Sequence, residues 1–221
     1  MKLFEILRQR KAVRAYLDKP VEKEKIHAIL DAARHAPSGV NTQPWQVAVV
    51  TGNTKQTLQT KIETSFRAGD KGKADYEYYP TQWIEPYKSR RKDCGLLMYQ
   101  TLKIDRADKQ RQMDQWAANY RAFDAPVMLL FFMDDRMETG SYMDYGMFLQ
   151  SAMLAAVELG LATCPQASLA DYPEIIKSEL GYTDNRVLLC GMALGYEDKN
   201  APVNSYRTSR EDVASFTEYF D

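Results

Sequence analysis

The chain predicts an α+β fold in three layers, with helices over a central sheet of four or five strands. Three observations predict it. Strand-like and helix-like stretches alternate along the 221 residues, and long helices outnumber strands. Two unbroken apolar runs, residues 127–133 and 187–195, read as strands covered on both faces. Residues 144–159 are apolar on nearly every side, which marks a buried helix. No internal repeat, low-complexity tract or linker interrupts the chain, so residues 1–221 are expected to form a single domain.

The elements follow in order. Residues 3–9 read as a short helix. Residues 21–35 place Ile26, Ile29, Leu30 and Ala33 at helical spacing, and Pro37 stops that helix. Residues 47–51 read as a strand, and residues 54–67 as an exposed helix with Leu58 and Ile62 facing inward. Residues 68–83 carry Gly69, Gly72, Pro80 and the aromatic group Tyr76, Tyr78 and Tyr79. They read as a long loop of the kind that is usually functional or mobile. Helices are expected at about 87–102 and 107–122. After the first apolar strand, the buried helix ends at Gly160. A short strand at 161–164, a helix at 172–180 and the second apolar strand complete the pattern. The tail, 210–221, sets Val213, Phe216 and Phe220 at helical spacing and needs a surface to pack on, on its own domain or on a partner subunit.

Composition narrows the function classes. Hydrophobic residues make up 45% and charged residues 27%, a globular balance that argues against disorder. A net charge of −1 argues against a general nucleic-acid binder, which needs excess positive charge. Three widely spaced cysteines, Cys94, Cys164 and Cys190, fit free thiols in a reducing compartment better than a disulfide framework or a zinc site. The N-terminus lacks a secretory pattern, and no apolar run is long enough to span a bilayer. The expected location is the cytoplasm.

The most informative stretch is Pro37-Ser38-Gly39-Val40-Asn41-Thr42-Gln43-Pro44-Trp45, between a helix and a strand. Its small residues let a backbone come close to a ligand, and Asn41 and Gln43 offer amides that donate and accept. Arg10, Lys11 and Arg14 form a cationic cluster near the start. On spacing alone it is either a solvated basic surface or a phosphate site, since arginine pairs with phosphate in a fork geometry. Lys88-Ser89-Arg90-Arg91-Lys92 reads as an exposed helix face. His27 and His35 have no third metal ligand, and Ser38 has no histidine partner for a hydrolase. Cys164 reads as packing. Trp83, Glu85 and Tyr87 read equally as substrate-mouth residues or as loop packing.

Taken together, five segments resemble the nitroreductase family of flavin enzymes. Arg10-Lys11-Ala12-Val13-Arg14 is similar to the family's Arg-Arg-Ser-Val-Arg signature. The Pro37–Trp45 stretch is similar to its more specific Pro-Ser-x-x-Asn-x-Gln-Pro-Trp signature. Asn119-Tyr120-Arg121-Ala122-Phe123-Asp124-Ala125-Pro126 resembles the segment before its central strand, and Gly160-Leu161-Ala162-Thr163-Cys164-Pro165 its Gly-Leu-x-Thr/Ser-x-Pro stretch. Arg210 stands where the family places a late phosphate-binding arginine. Order and spacing agree from about residue 5 to residue 211.

The resemblance implies an α/β/α fold with a mostly antiparallel sheet. It also implies an intertwined homodimer with FMN at the subunit interface. Arg10, Lys11, Arg14 and Arg210 would hold the phosphate, with Ala12 in the same cradle. Pro37, Ser38, Gly39 and Asn41 would reach the flavin of the other subunit. Pro165, Gln166 and Ala167 would lie along the isoalloxazine edge, and Asn119 would bond its pyrimidine side. NADH or NADPH would reduce the flavin, and a nitroaromatic or quinone would then collect two electrons in a ping-pong cycle. The chain lacks a Gly-x-Gly-x-x-Gly stretch for a standing nicotinamide site, which fits a visiting donor. No side chain is assigned a catalytic role, because the cofactor carries the chemistry. Ala12 replaces the family's serine, a loss of about 1 kcal/mol if nothing substitutes for the hydroxyl. Lys11 keeps the charge but loses the fork. Rival readings are a reductive dehalogenase-like or flavin-fragmenting member of the superfamily, or a non-catalytic flavin-binding sensor. The dehalogenase branch holds a lysine where Asn119 stands here.

Overall fold

The centre of the molecule is a strand that is apolar at every second position twice over. In a computed structural model of the chain, which describes residues 2–183 and 185–220, this strand, Val127–Asp134, is buried along seven of its eight residues. The chain order is α1 (Leu3–Gln9), α2 (Lys23–Ala33), β1 (Gln46–Val50), α3 (Gly52–Arg67), α4 (Tyr87–Thr101), α5 (Lys109–Ala117), β2 (Val127–Asp134), α6 (Thr139–Glu158), β3 (Ala162–Gln166), α7 (Pro173–Glu179) and β4 (Arg186–Gly195). The four strands form one sheet in the order β1-β2-β4-β3, antiparallel at each pairing.

The alternation of side chains along β2 builds two cores at once. Val127, Leu129, Phe131 and Met133 join α2 and α6 on one face. Met128, Leu130 and Phe132 join α3, α7 and the turn 118–124 on the other. Burying each of these large side chains stabilises the fold by about 1.5–3 kcal/mol. The expected three layers follow from that division.

Several boundaries differ from the sequence reading. The helix expected at 21–35 closes to Lys23–Ala33. α6 starts at Thr139, five residues before its apolar run, so its first turns carry polar side chains. The helix expected at 107–122 ends at Ala117 and tightens into a 3-10 turn, Ala118–Asp124. There Ala122, Phe123 and Asp124 all take positive φ, which reverses the chain into β2. β3 continues through Pro165 to Gln166. Its other edge is open to the segment 12–16, so a proline costs no ladder bond there. Instead of a fifth strand, that segment makes two isolated bridges, Ala12 with Thr163 and Tyr16 with Glu197. The tail forms one short 3-10 turn, Val213–Ser215, rather than a helix, with Phe216, Tyr219 and Phe220 exposed. Asp221 of that expected tail lies outside the described residues.

Candidate functional site

Two ends of the sequence meet in one cationic cavity of about 530 Å³. Its wall carries Arg8, Arg10, Lys11 and Arg14 from the start of the chain, and Arg207 and Arg210 from its end. Arg207 joins the two ends. Its guanidinium donates to the carbonyl oxygens of Gln9 (2.9 Å) and Arg10 (2.7 Å), and to that of Arg8. These are the acceptors that the C-terminus of α1 leaves without helical partners, and a cation is favoured beside them.

The cavity is electrostatically one-sided. Lys11 pairs with Glu197 at 2.7 Å and donates to the Asn204 carbonyl, so its charge is answered within the chain. Arg14 reaches the Tyr206 hydroxyl at 3.3 Å and lies over the Phe123 ring. Arg210 bonds to the Thr208 hydroxyl and the Ser209 carbonyl. Among the described residues no carboxylate lies within ion-pair distance of Arg10, Arg14 or Arg210. Burial, and then the charges of Arg210 and Arg207, hold the Arg10 guanidinium below its ordinary pKa. Cations are crowded and partly desolvated in this way where an anion is to be bound.

The segment carrying these cations is fixed to edge strand β3. The Val13 amide donates to the Thr163 carbonyl at 3.0 Å, beside the Ala12 bridge. At about 3.3 Å per residue, Pro165 stands roughly 7 Å further along β3 and Gln166 roughly 10 Å, and Ala167 opens the 3-10 turn that follows. Three polar atoms along this ribbon are buried without a hydrogen-bond partner: Thr163 Oγ1, Gln166 Oε1 and Ser168 Oγ. Orphans of this kind are uncommon in folded proteins.

A second cavity, about 630 Å³, opens at the far end of the ribbon. Pro165, Gln166 and Ala167 share its wall with Tyr76, Tyr78, Tyr142 and Tyr145 and with Leu189 and Cys190. A β-bulge shapes it. The register of β4 on β2 slips between Phe131 and Phe132, and Leu189 is left without an opposite residue. The carbonyl of Leu189 accepts from the Tyr76 hydroxyl at 2.6 Å, and the Leu188 amide donates to Asp75 at 2.8 Å. The bulge therefore pins the inner part of the long loop and sets Tyr76 against Tyr142, ring centres 5.2 Å apart.

The turn after α2 is the third feature. Val40, Asn41 and Gln43 all have left-handed backbone, with φ of 45°, 60° and 49°. For a β-branched valine that conformation costs roughly 1–3 kcal/mol. Val40 is nonetheless 98% exposed, with no packing of its own to offset the strain. The turn is held by Ser38, whose hydroxyl accepts from the Gln43 amide at 2.9 Å, and by α6, where Asp144 accepts from the Gly39 amide at 3.2 Å.

A family model described as "Nitroreductase family" matches residues 7–196. The chain belongs to the nitroreductase family. It is 39% identical to the 4-nitrobenzoate reductase of Pseudomonas putida over 97% of this chain and 93% of that one. It is 36% identical to the nitrobenzene nitroreductase of Ectopseudomonas oleovorans over 97% and 95%. The crystal structure of the FMN and NADPH-dependent nitroreductase NfnB from Sphigopyxis sp. strain HMH covers all of this chain and is covered by it, with a TM-score of 0.97 and 38% identity.

In this nitroreductase the structure gathers some of the expected site residues and leaves others apart. Arg10, Lys11, Ala12, Arg14 and Arg210 meet in the cationic cavity, and Pro165, Gln166 and Ala167 in the tyrosine cavity. Pro37, Ser38, Gly39 and Asn41 line neither. The Asn119 side chain donates to the Trp116 carbonyl at 2.9 Å, while its own carbonyl accepts from Gln166 at 2.6 Å. Asn119 thus orients Gln166 through its backbone.

Arg8, Arg207 and Tyr206 join the cationic cavity, Tyr142 the tyrosine cavity and Asp144 the turn, although none belongs to a signature segment. For Arg207 the signal was present in Arg207-Thr208-Ser209-Arg210, three residues before the arginine that was singled out. Trp83 packs on Tyr79 and under Arg91, away from both cavities. Burial pushes the Cys164 thiol up to about 11, consistent with packing. Among the described residues no group of three His, Cys, Asp or Glu side chains could hold a metal ion, and no helix is long and apolar enough to cross a membrane.

Proposed function

We propose that this chain is an FMN-dependent oxidoreductase that takes electrons from NADPH or NADH and delivers them in pairs to nitroaromatics or quinones. The observation that carries the reading is the cationic cavity. It holds Arg10, Arg14 and Arg210, which among the described residues have no counter-carboxylate, at one end of a strand whose other end opens into an aromatic cavity. The spacing suits a phosphate on a chain linked to a flat ring. The residues fit FMN.

When bound, FMN supplies the two-electron hydride chemistry. Arg10, Arg14 and Arg210 would hold its phosphate, and Lys11, tied to Glu197, would add charge without a direct bond. Pro165, Gln166 and Ala167 would flank the ring, where the Gln166 and Ala167 backbone amides, Pro165 having none, would stabilise negative charge on it. The tyrosine walls would receive the donor and then the acceptor, stacking on planar molecules and excluding water. The names of the relatives place nitroaromatics ahead of quinones as the acceptor class.

Pro37, Ser38, Gly39 and Asn41 would serve the flavin of a second copy of this chain. Two features support the homodimer. α6 is apolar on nearly all sides, yet in the single chain Met143 is 70% exposed and Met147 and Leu154 are half-buried. Leu3, Phe4, Val40, Phe216 and Phe220 are exposed as well. Three free thiols suit a reducing cytoplasm.

The test is the visible spectrum of the purified protein under anaerobic conditions, with NADPH and then nitrobenzene added. A flavin spectrum that bleaches and returns is expected. A colourless protein that FMN cannot reconstitute would overturn the cofactor assignment. A bound flavin that neither NADPH nor, added in its place, NADH bleaches would point to the sensor or to a dehalogenase with another electron donor.

A further inference from the structure

The turn at residues 38–43 is strained, exposed and in contact with little, yet its conformation is definite. What fixes it is α6. Three successive contacts run between the segment 39–46 and one face of that helix. Asp144 accepts from the Gly39 amide at 3.2 Å. The Trp45 ring stacks on Phe148, 4.9 Å between centres at 17°. The Tyr145 hydroxyl accepts from the Gln46 amide at 3.2 Å and donates toward the carbonyls of Gln46 and Phe132, both at 3.0 Å. The stack and the tyrosine hold the base of the turn. Asp144 reaches the turn itself, at Gly39.

Asp144 is also an unusual residue to find there. It is a carboxylate only 9% exposed, with no cation in ion-pair contact among the described residues. Its hydrogen bond is to one neutral amide. A buried carboxylate with so little compensation is costly to fold, and nothing in the packing of α6 requires it. The role consistent with this is an acceptor for Gly39 that an apolar side chain could not supply.

We propose that Asp144 is the positioning residue for the Pro37–Asn41 turn, holding the left-handed Val40 and Asn41 in the one conformation that presents this turn to the flavin. The proposal rests on the reading that the turn serves a flavin. It acts through the backbone: the bond to the Gly39 amide fixes the first residue of the 3-10 turn, and the Ser38 hydroxyl fixes its last neighbour, Gln43. Without the first anchor, Val40 is free to relax to negative φ, and Asn41 turns with it. α6 also supplies Tyr142, Tyr145, Gly146 and Leu149 to the wall of the aromatic cavity. One helix therefore registers the turn and the acceptor cavity against each other.

The experiment compares Asp144→Asn, Asp144→Leu and Asn41→Ala as holoenzymes, by the FMN dissociation constant, the visible circular dichroism of the bound flavin and the melting temperature. Asn keeps an oxygen acceptor in place, so Asp144→Asn should bind FMN within about twofold of the wild type with an unchanged flavin signal. Asp144→Leu should weaken FMN about tenfold and alter the signal, because a donor is left without its partner. A melting temperature that falls while FMN affinity and the flavin signal stay at wild-type values would overturn the proposal, since a merely structural contact behaves in that way.

Should Asp144→Leu not fold, Gly39→Pro cuts the same bond from the donor side. Ser38 is already extended, φ −145° and ψ 152°, as a residue before proline must be. Wild-type affinity and signal in Gly39→Pro would overturn the proposal equally. An Asn41→Ala variant with unaltered FMN affinity would overturn the underlying reading that the turn faces a flavin. Weakening in Asn41→Ala but none in Asp144→Leu would overturn the role of Asp144 alone.

Discussion

Replacing Arg10 by methionine separates function from stability at a single position. The substitution removes the charge and keeps a long apolar stem in the half-buried site. Arg10 has no carboxylate within ion-pair distance among the described residues, and its charge is opposed by burial and by Arg210 and Arg207. The protein without cofactor therefore loses nothing it was using. Its melting temperature should stay constant or rise by about 1–4 °C, the change that up to ~1 kcal/mol produces in a chain of this size. Phosphate binding should suffer. A charge-assisted hydrogen bond is worth about 1.5–3 kcal/mol, so the FMN dissociation constant should rise roughly 10- to 150-fold. Quenching of free flavin fluorescence measures the affinity, and differential scanning fluorimetry with and without FMN measures the stability. An unchanged dissociation constant would refute the phosphate cradle. A melting temperature lowered by more than about 4 °C would show that Arg10 has a structural partner in solution, and that the one-sided charge of the cavity is misread.

Three other outcomes are expected. The thiols should divide by exposure: Cys94 is exposed, while burial pushes Cys164 up to about 11 and Cys190 up to about 12. Titration of the native protein with an aromatic disulfide at pH 8 should then show one fast thiol per chain, and a second fast thiol would contradict the burial. Burial pushes the Asp171 carboxyl up to about 6. A raised folded value means that the native state holds the proton longer than the unfolded one, so this group's contribution to stability is lost as pH rises from about 4 to about 6. Asp171→Asn should raise the melting temperature at pH 7 relative to pH 4, by an amount worth up to ~1 kcal/mol after allowance for its partial exposure; equal effects at both pH values would exclude the titration. Tyr145→Phe deletes the hydroxyl shared by Gln46 and Phe132 and should cost about 1–3 kcal/mol in urea unfolding, and a change below a few tenths would mean that water replaces it.

The layers of the fold were legible because burial writes itself into period and composition. β2 and β4 are apolar without alternation because both faces are covered, and α6 is apolar over most of its length because it packs between the sheet and α2. Element ends were less legible, because they depend on backbone reversals such as that of Ala122 to Asp124, which no side-chain pattern announces. The tail misled for a related reason: Val213, Phe216 and Phe220 have helical spacing, but spacing without a surface to pack on does not fold a helix. At the site, the cationic residues that resemble a known signature were found, whereas Arg207 and Asp144 were not. Arg207 acts through backbone carbonyls nearly two hundred residues away, and Asp144 through the amide of Gly39. Contacts to backbone leave no complementary residue type for a reader to search for.

The strand order has a consequence for how the chain comes off the ribosome. Both interior positions of the sheet are held by β2 and β4, and β4 is the last strand to be made. Until residues 186–195 emerge, β1 and β2 can pair only as a two-stranded ribbon, with one side of the most apolar strand open. β3 has no strand beside it until then, since β4 is its partner and its other edge meets the chain in the isolated bridge to Ala12. The nascent protein thus carries an exposed, sticky edge from the making of β2 to that of β4, between residues 134 and 195, and closes it in one late step. Yield in a host cell should therefore be governed by chaperone supply and translation speed before residue 195, more than by the stability of the finished molecule.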